Sequence, residues 1–229
     1  MKYISILGDS ISTYEGYNPE GYKVYYRDER LIINSMESVR DTWWDKVIRA
    51  FDARLCVNNS FSGSRVSGKE FPAATSDKRI AELRNNQCTP DVVLIFMGVN
   101  DYGFGVKINR SETDSPQDDE LLYFAYAYEH LLEKIKQAYP EAIVVCGTLM
   151  RTVVTNNDRW SFPEEHLGEK FENFNIAIKK VCKNKGYYLA DLAGTDLSYQ
   201  TYDGAHPTNK GHITIARAWI KCLNELGIM

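Results

Sequence analysis

Ile4-Ser-Ile-Leu-Gly-Asp-Ser10 is the stretch of sequence that decides the fold. Residues 3–7 are mostly apolar or β-branched, which predicts a buried parallel strand that ends at Gly8-Asp9-Ser10. In open α/β sheets, ligands bind outside the carboxyl ends of the strands. Ser10 is therefore predicted to lie on the floor of a cleft. A serine at that place becomes a nucleophile only if a base activates it and a third group orients the base.

Further strands and helices alternate along the rest of the chain. Apolar runs predict strands at residues 54–59, 91–97, 142–148 and 187–190. Apolar residues at helical spacing predict helices over 41–51, 77–86, 120–139, 164–185 and 207–226. This alternation indicates parallel pairing through right-handed crossovers. The predicted fold class is α/β: a three-layer α/β/α sandwich around a five-stranded parallel sheet. With no repeat or linker to divide it, the chain is predicted to be a single domain over residues 1–229.

The charge balance excludes some partners. The 229 residues include 27 basic and 31 acidic side chains, a formal net charge of −4. Without a basic surplus, neither nucleic acid nor an anionic membrane surface is an expected partner. No run approaches the roughly 18 apolar residues of a membrane span. The first predicted strand starts within three residues of Met1 and leaves no room for a secretion signal, so a cytoplasmic location is expected.

The five cysteines are odd in number and widely spaced, without the C-x-x-C pairs that are typical of zinc or dithiol sites. They are predicted to be buried free thiols: Cys56, Cys88, Cys146, Cys182 and Cys222.

Two segments are predicted to be loops. The glycine- and tyrosine-rich residues 11–26 lack helical or strand periodicity and indicate a long ordered loop. Its tyrosines either line a pocket or anchor the loop to the domain, and both interpretations stay open: Tyr14, Tyr17, Tyr22, Tyr25 and Tyr26. Residues 104–119, which are polar and contain Pro116, predict a surface insertion or lid.

Asp203-Gly-Ala-His206, just before the last predicted helix, supplies the partners that Ser10 needs. An aspartate three residues before a histidine can accept a hydrogen bond from one ring nitrogen, which leaves the other free to act as a base. The oxyanion of an acyl-transfer intermediate also needs hydrogen-bond donors. The candidates, all at predicted strand ends, are the backbone N–H groups of Ser10 and Gly63 and the side-chain amide of Asn100.

These residues resemble the blocks of the SGNH hydrolases, also called the GDSL esterase/lipase family. Gly8-Asp-Ser10 resembles the nucleophile block and Asn59-Ser-Phe-Ser-Gly63 the glycine block. Gly98-Val-Asn-Asp101 and Asp203-Gly-Ala-His206 resemble the third and last blocks. Each block alone occurs by chance, but four in the family's order at predicted strand ends are a strong signal. The tyrosine-rich loop is not part of the family's general pattern.

The resemblance implies a flavodoxin-like sandwich, no metal or other cofactor, and hydrolysis of carboxylic esters through an acyl-serine. In its terms Ser10 attacks, His206 acts as base and then acid, and Asp203 orients His206, while Ser10, Gly63 and Asn100 hold the oxyanion. Polar and aromatic loops suggest a short acyl ester on a small molecule or glycan. The candidate pocket residues are Asp9, Tyr14, Asp101, Tyr102, Arg151 and Trp160.

Other functions remain as alternatives. An acyltransferase would carry the same residues, with an alcohol in place of water. A relative of the same fold that binds carbohydrate without catalysis is a second alternative. A flavodoxin-like sheet can also hold FMN, but that function leaves Asp203 and His206 unexplained, and the loop after the first strand lacks a phosphate cradle. The oligomeric state cannot be read from the sequence.

Overall fold

The computed structural model of the protein describes residues 1–115 and 117–229. Pro116, which belongs to the predicted insertion, lies outside the described residues. The helices and strands are, in chain order, β1 (Tyr3–Gly8), α1 (Glu29–Ile33), α2 (Trp43–Ala50), β2 (Arg54–Ser60), α3 (Asp77–Ala81), β3 (Val92–Phe96), α4 (Val99–Gly103), α5 (Phe124–Ala138), β4 (Ile143–Gly147), β5 (Thr152–Val154), β6 (Glu165–His166), β7 (Glu169–Lys170), α6 (Phe171–Lys185), β8 (Tyr188–Ala190), β9 (Tyr199–Thr201) and α7 (Asn209–Leu226).

A parallel sheet of five strands in the order β2-β1-β3-β4-β8 forms the centre of the fold. This is the flavodoxin-like strand order, and it confirms the predicted five-stranded parallel sheet. The strand β3 is buried along its whole length, as a central strand covered on both faces must be. Because β2, β1 and β3 are neighbours, the polar residues that follow them emerge side by side at one edge of the sheet.

Helices cover both faces of the sheet and confirm the predicted three layers. On one face α2 and α7 pack together through the stacked indoles of Trp43 and Trp219, whose ring centroids are 5.4 Å apart. On the other face α5 and α6 meet through Phe124 and Phe174, at 4.8 Å between centroids. Within residues 1–115 and 117–229, no helix is long and apolar enough to cross a membrane.

Two predicted helices are shorter in the structure. The helix predicted from residue 164 begins at Phe171, because Leu167 and Gly168 both adopt positive φ and form the tight turn of the β6–β7 hairpin. The helix predicted over 77–86 ends at Ala81, where the hydroxyl of Tyr139 donates to the carbonyls of Ile80 and Ala81. A further short helix, α1, follows the tyrosine-rich loop and was not predicted.

The cysteine prediction is wrong for one pair. Cys56 in β2 and Cys88, in the loop before β3, form a disulfide with their Cα atoms 5.8 Å apart. Their separation of 32 residues carries no local signal, because only the packing of β2 against that loop brings them together. The other three cysteines are free and buried, as predicted.

Arg79 in α3 ties together the ends of β1 and β2. Its guanidinium is fully buried and donates to the carbonyls of Gly8, Asn59 and Pro72, at 2.8–3.0 Å, and to the Asn59 side chain at 2.6 Å. Burial lowers the pKa of Arg79 to about 10, so the side chain remains a cation at neutral pH. Arg79 therefore fixes the peptide from which the Asp9-Ser10 turn leaves the sheet.

Substitution of Arg79 by methionine is expected to lower the free energy of unfolding by about 3 kcal/mol, because four acceptors, most of them buried, each lose a hydrogen bond from the guanidinium. Urea denaturation measures the change. The matched control is Arg84→Met on the exposed segment after α3, expected to change stability by about 0.5 kcal/mol or less. Equal effects of the two substitutions would contradict the role of Arg79.

Candidate active site

Ser10 lies in a tight turn directly after β1. The turn is a single 3₁₀ turn, Ser10–Ser12, and the Asp9 carboxylate caps it by accepting from the Ile11 N–H at 3.0 Å. Gly8 is required before it, since a Cβ at this position would lie 2.6 Å from the Ser60 hydroxyl. The close approach of β2 to this turn thus depends on a residue without a side chain.

His206 and Asp203 lie in the loop between β9 and α7. One oxygen of Asp203 accepts from the backbone N–H groups of Ala205 and His206, at 3.0 and 2.8 Å, and the other lies 2.7 Å from His206 Nδ1. His206 Nε2 lies 3.0 Å from Ser10 Oγ. The three predicted catalytic residues are thus joined by one continuous chain of hydrogen bonds.

The charge on Asp203 sets the tautomer of His206. Burial would raise the pKa of Asp203, but the hydrogen bond and charge of His206 and two backbone N–H groups hold that pKa well below its usual range. The carboxylate is therefore ionised and accepts the Nδ1 proton. In this tautomer Nε2 carries a lone pair directed at the Ser10 hydroxyl, as a general base requires.

A cleft of about 620 Å³ opens above this hydrogen-bonded chain. The predicted residues Ser10, Gly63, Asn100 and His206 all line it, although they come from four separate parts of the chain. The other lining residues are Lys23, Val24, Tyr25, Arg27, Asp28, Glu29, Arg30 and Ser62. The wall opposite the strand ends is therefore built by the tyrosine-rich loop and α1.

Three hydrogen-bond donors of the predicted oxyanion site line the cleft. Within the described residues, no protein acceptor is found for the backbone N–H of Ser10 or of Gly63. The Asn100 amide donates one hydrogen to the Ser64 carbonyl at 2.9 Å, which fixes the side chain and leaves its second hydrogen available. Gly63 adopts φ +83°, a conformation that favours glycine.

Asp101, a predicted pocket residue, is buried beneath the cleft instead of lining it. Its two carboxylate oxygens accept from the backbone N–H groups of Val66 and Ser67, at 2.8 and 2.9 Å. Burial raises the pKa of Asp101, and these hydrogen bonds oppose the rise. Asp101 thereby ties the loop that carries Gly63 to the helix that carries Asn100.

The remaining predicted pocket residues also lie outside the cleft. Asp9 and Tyr14 are buried, the latter in the core beside α2, and the Tyr102 hydroxyl donates to the Pro163 carbonyl.

Arg151 pairs with Glu164 at 2.8 Å and lines a separate cavity of about 310 Å³. Trp160 packs edge-on against Phe162 and against Gly204, where a Cβ would lie 3.3 Å from the indole ring. Tertiary contacts thus direct Asp9, Tyr14, Tyr102 and Arg151 away from the cleft, whereas Trp160 borders the loop that carries Asp203.

Sequence reasoning missed most of the cleft wall. Lys23 lies among the tyrosines, Arg27 and Arg30 follow them, and none of the three gave a signal of its own. Tyr25 could not be separated from the four tyrosines near it. The one indication of this wall was the tyrosine-rich loop, which departs from the family's general pattern. Within the described residues, no group of three or more His, Cys, Asp or Glu side chains could hold a metal ion.

A flavodoxin-like sheet with a Ser–His–Asp chain at its strand ends has the arrangement of a serine hydrolase site. Comparison with protein families identifies the particular group: the model of the GDSL-like lipase/acylhydrolase family matches residues 2–223. The chain belongs to this family. No curated protein matches it in a sequence comparison.

Solved structures agree with this membership. A GDSL-like lipase from Bacteroides ovatus is 26% identical, with a TM-score of 0.72 and coverage of 98% of this chain and 99% of the other. One from Bacteroides uniformis is 28% identical, with a TM-score of 0.71 and coverage of 98% and 96%. A family 3 carbohydrate esterase from Clostridium thermocellum shares the fold at 15% identity, a TM-score of 0.59 and coverage of 98% and 96%.

Asp9 is a buried carboxyl group directly before Ser10. One of its oxygens caps the Ser10 turn, and the other has no hydrogen-bond partner within the described residues. Burial raises the pKa of Asp9 to about 7, although the Ile11 N–H and the Arg79 charge oppose the rise. Asp9 therefore takes up a proton on folding at mildly acidic pH.

This proton uptake predicts a pH-dependent stability. The folded pKa lies above the unfolded value near 4, so the contribution of Asp9 to stability is complete below pH ~4 and is lost as the pH rises through ~7. The loss is a few kcal/mol at most, at about 1.4 kcal/mol per pH unit. Urea denaturation from pH 5 to 9 is expected to show a smaller decline for Asp9→Asn than for wild type.

The matched control is Asp52→Asn, an exposed aspartate at a positive φ that asparagine also adopts. Its decline in stability should match that of wild type. Parallel curves for Asp9→Asn and wild type would instead mean that Asp9 is ionised in the folded protein.

Proposed function

We propose that this protein is a serine esterase in which Ser10 is the nucleophile, His206 the general base and Asp203 the residue that orients His206. The observation that carries the proposal is the hydrogen-bonded chain with its 3.0 Å and 2.7 Å links. A serine hydroxyl is a weak nucleophile unless an oriented base takes its proton, and this chain supplies both base and orienting group. Membership in the GDSL-like lipase/acylhydrolase family supports the same reaction.

The reaction proceeds in two halves. Ser10 Oγ attacks the ester carbonyl carbon while His206 Nε2 takes the hydroxyl proton. The oxyanion that forms faces the N–H groups of Ser10 and Gly63 and the Asn100 amide. The C–O bond to the alcohol then breaks, and the alcohol leaves with the proton from His206. A water molecule, deprotonated by His206, attacks the acyl-serine. The bond between the acyl carbon and Ser10 Oγ then breaks, the acid leaves, and His206 returns the proton to Ser10 Oγ.

The substrate we propose is a short acyl ester, with acetyl favoured, on a small molecule or carbohydrate. Val24 is the one aliphatic side chain among the described lining residues of the cleft, so a long acyl chain would find little apolar surface. The charged residues at the rim can bind hydroxyl groups. The carbohydrate esterase from Clostridium thermocellum that shares the fold supports a sugar ester.

Hydrolysis is favoured over acyl transfer to an alcohol. Lys23, Arg27, Asp28, Glu29 and Arg30 form an exposed wall, so water reaches the acyl-serine freely. The family match over residues 2–223 supports a single domain that spans residues 1–229.

Hydrolysis of p-nitrophenyl acetate and longer acyl esters tests the proposal. Wild type is expected to hydrolyse the acetate ester fastest. Ser10→Ala and His206→Ala are each expected to lower kcat/KM by about 10³-fold or more, because removal of either residue disables the unit in which they act together. The matched controls are Ser111→Ala and His166→Ala, both on the exposed surface and expected to keep the wild-type rate.

Equal background rates for wild type and Ser10→Ala would remove simple esters as substrates. A serine-reactive fluorophosphonate then decides the role of Ser10 itself. Labelling of wild type but not of Ser10→Ala would support Ser10 as the nucleophile. Absence of labelling in wild type would reject the proposed function.

Substitution of Asn100 by alanine tests the oxyanion site. The change is expected to lower kcat by about 10²-fold with little change in KM, because the amide stabilises charge that develops only in the transition state. Asn109→Ala, an exposed asparagine in the segment after α4, is the control and should leave both constants unchanged. A rise in KM with constant kcat would assign Asn100 to ground-state binding instead.

A further inference from the structure

Tyr25 contacts both partners of Ser10, and the family blocks do not include it. Granted the esterase function proposed above, we infer that Tyr25 is a positioning residue, one that holds the imidazole of His206 and the carboxylate of Asp203 in line with Ser10. Its ring, its hydroxyl and its backbone each make a separate contact that serves this purpose.

The Tyr25 ring stacks on the His206 imidazole. The ring centroids are 3.5 Å apart and the planes are inclined by 7°. The imidazole cannot turn out of this plane without losing the contact over its whole face. The stack therefore restrains the rotation that would carry Nε2 away from Ser10 Oγ, 3.0 Å distant.

The Tyr25 hydroxyl restrains the other partner. It donates to Asp203 Oδ2 at 3.1 Å, the same oxygen that lies 2.7 Å from His206 Nδ1. Asp203 belongs to an exposed loop and is anchored there mainly by backbone N–H groups of its own turn. Tyr25 therefore supplies a contact to this carboxylate from a distant part of the chain.

Arg30 closes the opposite face of the Tyr25 ring. Its guanidinium carbon lies 4.4 Å from the ring centroid, and since His206 occupies one face, Arg30 covers the other. A tyrosine that binds a sugar by stacking needs a free face. Tyr25 has both faces covered, which argues for positioning over substrate stacking.

Backbone contacts connect Tyr25 to the Ser10 turn. The Tyr25 N–H donates to Thr13 Oγ1 at 2.9 Å, and that hydroxyl donates to the Ser10 carbonyl at 3.0 Å. The hydroxyl of the next residue, Tyr26, donates at 2.7 Å to the carbonyl of Pro207, the residue directly after His206. This pair of tyrosines thus connects the turn that carries Ser10 to the loop that carries His206.

Kinetics of Tyr25→Leu and Tyr25→Phe test the inference. Tyr25→Leu removes both ring and hydroxyl and is expected to lower kcat about 10- to 100-fold with KM within about twofold, because a misplaced base slows chemistry and not binding. Tyr25→Phe keeps the stack and loses one hydrogen bond, so a fall in kcat of about fivefold is expected. The rate of fluorophosphonate labelling at Ser10 should fall in the same order.

Two exposed tyrosines provide matched controls. Tyr17→Phe lies in the same loop, and Tyr188→Leu lies at the start of β8. Both should keep the wild-type kcat, KM and labelling rate. A rise in KM for Tyr25→Leu at constant kcat would make Tyr25 a substrate-binding residue and overturn the inference, as would kinetics identical to those of wild type.

NMR of histidine-labelled protein separates this inference from the proposed function, since it needs no turnover. The His206 Nδ1 proton, hydrogen-bonded to Asp203, should give a downfield signal in wild type and Tyr25→Phe that broadens by solvent exchange in Tyr25→Leu. If wild type fails to react at Ser10, the esterase proposal fails, and this signal still tests Tyr25. An unchanged signal in Tyr25→Leu overturns the positioning role.

Discussion

The hydrogen bond between His206 Nε2 and Ser10 Oγ joins residues 196 positions apart, and the fold has to hold both ends of it to within a few tenths of an ångström. The Ser10 end is rigid because β1 lies inside the sheet. The His206 end lies in a half-exposed loop between β9 and α7. Here α7 supplies one anchor: Thr208 caps the helix by accepting from the Gly211 N–H at 3.2 Å, which fixes the chain two residues after His206.

Beneath the cleft, buried polar side chains connect neighbouring segments through hydrogen bonds, whereas apolar side chains connect them elsewhere in the core. Arg79 joins β1 to β2, and Asp101 joins the loop after β2 to the helix after β3. Asp101 accepts from backbone N–H groups, and Arg79 donates to backbone carbonyls and to the side chain of Asn59, so both charges hold segments of backbone in place. Asp9 completes the layer, with a pKa of about 7 that reflects the burial needed to bring strand ends so close together. The loops at the strand ends are thereby held in place without closing the cleft.

The sequence predicted those parts of the fold that depend on local pattern. Apolar runs identified the five strands of the main sheet, and neighbouring strand ends brought Ser10, Gly63 and Asn100 to one cleft. Features that depend on tertiary contact escaped prediction. The Cys56–Cys88 pair requires β2 to pack against a distant loop. The start of α6 at Phe171 was missed for a local reason, because Leu167 and Gly168 form the turn of a short hairpin before it. Tyr14 and Trp160 were of the right type for a pocket, but composition does not reveal where a side chain points.

The tyrosine-rich loop and the residues after it form a wall of the cleft that the four sequence blocks do not supply. Three of the four sequence blocks follow strands of the main sheet, and the fourth lies in the loop between β9 and α7. Together they carry the residues of the proposed reaction. Residues 23–30 belong to none of these blocks, yet they provide most of the remaining cleft surface and the stack on His206. One segment thus contacts both the proposed general base and the space a substrate would occupy. Arg30 lines the cleft and also covers the Tyr25 ring, which stacks on His206. The space open to a substrate and the proposed alignment of His206 therefore have one side chain in common.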